Sequence, residues 1–292
     1  MNHRQKLAGE KSNAVSKFFV YLLMAVLTAV IVVPVAWVFM ASVKQNSEFY
    51  GNPFALPEGL YLQNFADAWT KARMGDYFFT SIMITAVALC ILLVVALPAA
   101  YVLSRYKFKG SKLLNTCFMA GLFINVSYIV VPIFLMFVSG DKLVKRLFGH
   151  SVFLNNPFIV ALVLAATTLP FTIYLLSSYL STLPKDYEEA AYVDGAGMFK
   201  RFWYITLPGI SSVLGISTLL STIWTFNDFE NVFLITGGGP IYSSSVISTY
   251  TYDLAFIQNS FGRALSVAVS VIPLMLILIL VSQKVINGDR NE

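Results

Sequence analysis

A polar island from Pro184 to Pro208 separates two long apolar runs and reads PKDYEEAAYVDGAGMFKRFWYITLP. Its residue types suit docking rather than bond-making. Glu188 and Glu189 stand beside the small Ala190 and Ala191, with Asp194 and Gly195 just beyond. Ile205, Leu207 and Pro208 close the segment. The internal spacing is Glu-Ala-Ala, Gly after three residues, Ile after nine more, then Leu-Pro after one. Small residues let another surface approach the backbone. Lys200 and Arg201 offer a charged rim, and Phe199, Phe202 and Trp203 offer apolar anchors. The alternative is an amphipathic loop that merely rests in a membrane interface. Good helix formers over 185–199 predict a helix capped by Ser181 or Thr182, with Pro184 in its first turn. Gly195 and Gly197 should end or bend it, and a second short helix should follow over 199–204.

Other chemistry is poorly supplied. There is no GxxxxGK[ST] loop to cradle phosphates. Cys90 and Cys117 lie in apolar runs and read as small hydrophobes. His3 and His150 have no metal-ligand spacing around them, so no metal is expected. No basic, aromatic-interleaved patch points to nucleic acid. No nucleophile constellation or acid–base pair near an interface points to an enzyme.

The elements that must hold the island are set by composition. The 292 residues are 57% hydrophobic and only 12% charged, with a mean hydropathy of +0.72. A soluble domain carries about 25% charged residues. A bilayer core needs roughly 20 apolar residues per helix, and six stretches qualify: 18–42, 78–103, 113–138, 158–180, 209–227 and 264–286. The fold class is therefore an all-α integral membrane protein of six transmembrane helices, with the island as a helix-turn-helix. The first stretch is longer than the roughly 7–15 apolar residues of a signal peptide and reads as an uncleaved span. The divisions are a tail, 1–17, a six-helix domain, 18–286, and a second tail, 287–292.

Orientation follows from the 20 Lys and Arg residues. With both termini cytoplasmic, thirteen fall inside, among them Arg105, Lys107, Lys109, Lys185, Lys200 and Arg201, and seven outside. The island is then cytoplasmic. Lys142, Lys145 and Arg146 fall outside and are read as a short amphipathic helix on the outer surface. Segments 43–77 and 228–263 form long outer connections.

The island's spacing resembles the EAA loop of ABC importer permeases at Glu189, Ala190, Ala191, Gly195, Ile205, Leu207 and Pro208. Asp194 within EEAAYVDGAG is similar to the sugar-importer branch. The resemblance extends over roughly 20–286. Asn64-Phe65 with Trp69 looks like the segment before the second span. Ala99 to Arg105 with Phe108 and Gly110 looks like the AAYxLSRxxFxG element, and Leu169-Pro170-Phe171 like the LPF before the loop. Thr236 to Pro240 and Tyr252, Ala255 and Phe256 look like the sugar permeases' TxGGP and YxxAF. The first half is similar to the shorter partner of a maltose-type pair, the second half to the longer.

The resemblance implies a carbohydrate importer in the bacterial inner membrane. A second permease subunit completes the path, and an extracytoplasmic sugar-binding protein delivers the solute. Two ATPase subunits bind ATP and Mg and grip the loops, so this chain carries no cofactor and hydrolyses nothing. Glu189 would contact the ATPase, and Gly195 would shape the turn. Sugars are held by aromatic stacking and by amide or carboxylate hydrogen bonds. Trp224, Asn227, Asp228 and Glu230 near the end of the fifth span are one candidate lining, against the alternative of an outer aromatic belt. Asn125, Ser127 and Tyr128 in the third span are another, against the alternative of interhelix glue. Gly237, Gly238, Gly239 and Pro240 are a candidate contact for the binding protein, or a plain turn. The competing readings are an ABC permease for a non-sugar solute and a stand-alone secondary transporter, the latter needing broken helices and intramembrane charge.

Overall fold

The structure is a computed structural model that describes residues 3–70, 74–154, 156–237, 239 and 244–288. Every regular element among them is a helix. Among the described residues five helices are long and apolar enough to cross a membrane: Ser16–Ser42, Met74–Arg105, Pro157–Thr182 and Phe261–Val281, which match expected spans, and Val126–Phe148, which is shifted from the expected 113–138. Residues 1–71 and 254–269 form one compact unit, and residues 72–253 and 270–292 a second.

In the first unit, α1 (His3–Ser42) leads into α2 (Asn46–Gly51) and α3 (Gln63–Thr70). Asn64 of the Asn-Phe motif is a buried tie within this unit. Its buried Nδ2 donates to the carbonyls of Ser42 and Lys44, at 2.9 and 2.8 Å. Its own carbonyl accepts from Ser266 at 3.2 Å. Lys44 is fully buried, and its ammonium donates to the Asn52 carbonyl at 3.1 Å. Such caps are what makes a buried cation tolerable. Phe49 stacks on Phe261 with centroids 5.0 Å apart.

The second unit is organised by α4 (Met74–Arg105). After it come α5 (Ser111–Gly121), α6 (Val126–Phe148) and α7 (Pro157–Thr182). Helices α4 and α7 run parallel. Ile84 and Ala88 share a core with Ile159, Val160, Val163 and Leu164, Leu92 and Ala96 with Ala165 and Ile173, and Ala100 with Leu176 and Leu180. The numbering rises together along both helices, so α5 and α6 must carry the chain back between them.

That return path departs from the expected span 113–138. It is broken at 122–125. A Cβ on Gly121 would lie 3.0 Å from Pro170 Cβ and Cγ, so the break sits beside the middle of α7. The apolar residues Leu122, Phe123 and Ile124 give no local reason for it. Asn125 restarts the helix by accepting from the Ser127 N–H at 2.9 Å. Helix α6 then continues unbroken to Phe148, so Lys142, Lys145 and Arg146 end this long helix instead of forming a separate surface one. Asp141 accepts from the N–H groups of Val152 and Phe153, at 2.8 and 2.9 Å, which holds the basic end just beyond the start of α7.

The rest of the unit comprises α8 (Asp186–Val193), α9 (Met198–Arg201), a π-helix over Phe202–Thr206, α10 (Leu207–Gly209) and α11 (Ser211–Phe226). The segments Met198–Gly209 and Ser211–Phe226 meet at a bend of 74°, and the second of them covers most of the expected fifth span, 209–227. Helices α12 (Glu230–Thr236) and α13 (Ile247–Tyr252) follow, and α14 (Phe261–Gly288) carries the last span.

Candidate functional site

Two places gather the polar residues that the sequence singles out. The first is the island. Ser181 and Thr182 belong to the last turn of α7, where their hydroxyls bond back to Ser177 and Tyr179 carbonyls, so neither caps α8. Helix α8 begins at Asp186, and its first turn holds Asp186, Glu188 and Glu189, the placement its dipole favours. Gly195 ends the helical path at φ +81°, a conformation that costs a side-chain-bearing residue about 1 kcal/mol. A Cβ there would meet nothing within 4 Å, so the constraint is on the backbone alone. The Ala196 N–H returns to the Ala191 carbonyl at 2.9 Å. Arg201 packs over the Tyr192 ring at 5.2 Å, fastening α9 to α8.

The neighbouring carboxylates Glu188 and Glu189 part company. Successive residues on an α-helix diverge by about 100°. Glu189 is exposed, as are Ala190, Asp194, Gly195 and Pro208, while Ala191, Ile205 and Leu207 are half-buried. Glu188 is 8% exposed and turned inward. Its Oε1 lies 2.9 Å from Arg105 Nε and accepts from the Thr206 hydroxyl at 3.1 Å. Its Oε2 accepts from the Tyr101 hydroxyl at 3.2 Å. Arg105 also donates to the Leu183 carbonyl at 3.2 Å.

The second place joins the two candidate linings that the sequence left separate. Ser127 donates to Glu230 Oε2 at 2.6 Å. The break at 122–125 thereby meets a second one, at 227–229 between α11 and α12. Trp224 lies edge-on to Phe171, near the middle of α7, with centroids 5.0 Å apart. The end of α11 therefore lies alongside α7 rather than past its end. Three residues here do local work. Asn125 caps α6, the Asn227 amide donates to the Ile223 carbonyl at 2.8 Å, and Asp228 accepts from the Asn231 backbone and amide, both at 2.9 Å. Tyr128, Trp224 and Glu230 remain exposed, Tyr128 to 80%. Ser127, read from the sequence together with Asn125 and Tyr128, and the non-polar Phe123, which the sequence did not single out, complete this exposed rim.

Gly237 ends α12 at φ +57°, and Gly239 donates to the Thr236 carbonyl at 2.9 Å. Gly238 and Pro240 lie outside the described residues. Among the described residues, no cluster of His, Cys, Asp and Glu has the form of a metal site.

A family profile described as the binding-protein-dependent transport system inner membrane component matches residues 93–287, more than half of the chain. The chain belongs to this family. Among curated ABC permeases, the diacetylchitobiose uptake system permease protein NgcG of Streptomyces coelicolor is 29% identical over 281 residues, covering 93% of this chain and 86% of the relative. The melibiose/raffinose/stachyose import permease protein MelC of Bacillus subtilis is 27% identical over 210 residues, 72% of each chain. A chain from the crystal structure of a bacterial alginate ABC transporter in complex with alginate pentasaccharide-bound periplasmic protein shares the fold. It has a TM-score of 0.71 and 17% identity, with 94% of each chain covered. In the permease described here, the matched stretch holds both places: α8 with its two carboxylates, and the polar rim at the paired breaks.

Proposed function

We propose that the permease is the membrane subunit of an ATP-driven importer for a sugar or oligosaccharide. It forms half of the translocation path with a second permease subunit. An extracytoplasmic binding protein delivers the sugar, with Gly237, Gly238, Gly239 and Pro240 as its candidate contact. Two ATPase subunits, which hold ATP and Mg, drive the path by gripping the loop at Glu189, Ala190, Ala191, Asp194 and Gly195.

The observation that carries this reading is the exposed polar rim at two helix breaks beside the middle of α7. Irregular backbone and a carboxylate are tolerated at such depth where they line a cavity or are covered by protein. Tyr128 and Trp224 supply rings for stacking on a sugar face, and Glu230 supplies an acceptor for its hydroxyls. The named substrates of both relatives are sugars, which favours a sugar over other solutes.

The test is reconstitution of the complete transporter with its binding protein in liposomes. The probes are labelled diacetylchitobiose, melibiose, raffinose, glutamine and inorganic phosphate. ATP-dependent uptake of at least one sugar, and of neither glutamine nor phosphate, is expected. Uptake of glutamine or phosphate alone would replace the sugar reading with the non-sugar one.

Both termini and α8 belong to the cytoplasmic side in this reading. The parallel course of α4 and α7 supports it, because their shared end carries Arg105 and leads into α8. An alkaline phosphatase fused after Ser181 should be inactive, and one fused after Gly149 active. The reverse pattern would invert the topology.

A further inference from the structure

We infer that the Glu188–Arg105 ion pair is a strut that makes α4 and α7 move with α8, an inference that rests on the reading of α8 as the helix an ATPase grips. One buried carboxylate ties four elements together. It meets Arg105 and Tyr101 at the end of α4 and Thr206 in the π-helix that leads to α11. Through Arg105 it also reaches the Leu183 carbonyl at the end of α7. Both side chains of the pair are about nine-tenths buried, so water does not screen the contact.

Stability alone does not account for this arrangement. A buried ion pair is often no more stabilising than apolar residues of the same volume, because both charges lose their hydration. What the charged, multiply bonded contact adds is a fixed distance and direction. Its position suits transmission. Helices α4 and α7 pack together along their whole shared length, so a push on Arg105 moves them as one body. The route to α11 is different. It runs through the π-helix and the 74° bend, where the chain can flex. π-Helical turns recur at functional positions. Displacement of α8 is thus delivered rigidly to one pair of spans and through an elbow to the other. Glu188 is a positioning residue: it is buried against its own chain and does not reach a partner, whereas Glu189 faces outward.

The test uses the complete transporter and three variants: Glu188→Gln, which keeps the side chain's shape, Arg105→Gln and Arg105→Lys. ATPase co-purification should stay at the wild-type level in all three. Uptake of the sugar that the wild type imports should fall at least tenfold in both Gln variants and stay within threefold of wild type in Arg105→Lys. A second readout needs no sugar. Spin labels at Tyr187→Cys and Lys107→Cys, with Cys90 and Cys117 changed to Ser, report the spacing of α8 from the end of α4. In the otherwise wild-type transporter this spacing should be the same before and after trapping with ATP and vanadate. In Glu188→Gln it should lengthen or broaden on trapping. Uptake within twofold of wild type in both Gln variants, or unchanged spacing in Glu188→Gln, would overturn the strut. So would loss of the ATPase from Glu188→Gln, because Glu188 would then belong to the docking surface. Retention of the ATPase by Glu189→Lys would refute docking instead, and is scored separately.

Discussion

Glu189→Lys is expected to leave the permease in the membrane at its normal level and to reduce co-purifying ATPase below a tenth, with uptake falling in step. The expectation follows from the division of the two neighbouring carboxylates. Glu188 is committed to Arg105, Tyr101 and Thr206, whereas Glu189 is exposed on the same helix. Reversing Glu189 costs the isolated helix little. A carboxylate in the first turn gains about 0.3–1 kcal/mol from the helix dipole, and losing that does not unfold a packed membrane domain. In the proposed docking, with Glu189 accepting from a donor or cation of the ATPase, the same change removes that acceptor and puts a positive charge in its place. Disrupting a buried, hydrogen-bonded charge pair costs about 2–5 kcal/mol, which is roughly 30-fold to several-thousand-fold in affinity. Glu189→Gln keeps the size without the charge and should fall between the two. Pull-down of the tagged permease, with thermal melting of the purified chain as control, reads the effect. ATPase retained at the wild-type ratio, with uptake within twofold, would remove Glu189 from the docking surface.

The spacing of the island carried most of what could be read about this loop, but not which carboxylate faces which way. Glu188 and Glu189 are adjacent letters, and only the rotation of α8 against α4 separates them. Arg105 was visible as part of AAYVLSR, yet nothing local links it to a residue 83 positions later. The long spans were legible because length and apolarity decide them, as for Met74–Arg105 and Pro157–Thr182. The break at 122–125 was not, because Leu122, Phe123 and Ile124 are as apolar as any span. Its signals were Gly121, which lets Pro170 approach, and Asn125 two residues before Ser127, the spacing of a helix cap. The same limit hid the meeting of the two linings. Charge alternation alone puts Trp224 and Glu230 near an outer surface. Helix α11 begins only after the 74° bend, and Trp224 ends beside Phe171 instead.

Glu230→Ala is expected to lower sugar uptake at least tenfold while the complex still assembles and its ATPase still runs. A carboxylate beside the middle of α7 is costly to keep unless it has a task. One hydrogen bond from Ser127, at 2.6 Å, occupies only part of its capacity. The remaining lone pairs can accept from adjacent hydroxyls of a sugar. Hydrogen bonds to a charged group contribute about 1.5–3 kcal/mol each, so losing one costs roughly tenfold or more. The competing role is mechanical: the bond fastens α12 to α6. Ser127→Ala separates the two, because it cuts the fastening and leaves the carboxylate. Uptake within threefold of wild type in Ser127→Ala, beside the large loss in Glu230→Ala, assigns the carboxylate to the path. Equal losses in both variants, with equal drops in melting temperature, would make Glu230 a fastener. Charge adds a further discriminant. A path lined by Glu230 repels carboxylated sugars, so Glu230→Gln should raise the ratio of uronate-containing to neutral disaccharide uptake. An unchanged ratio would mean that the carboxylate does not face the solute.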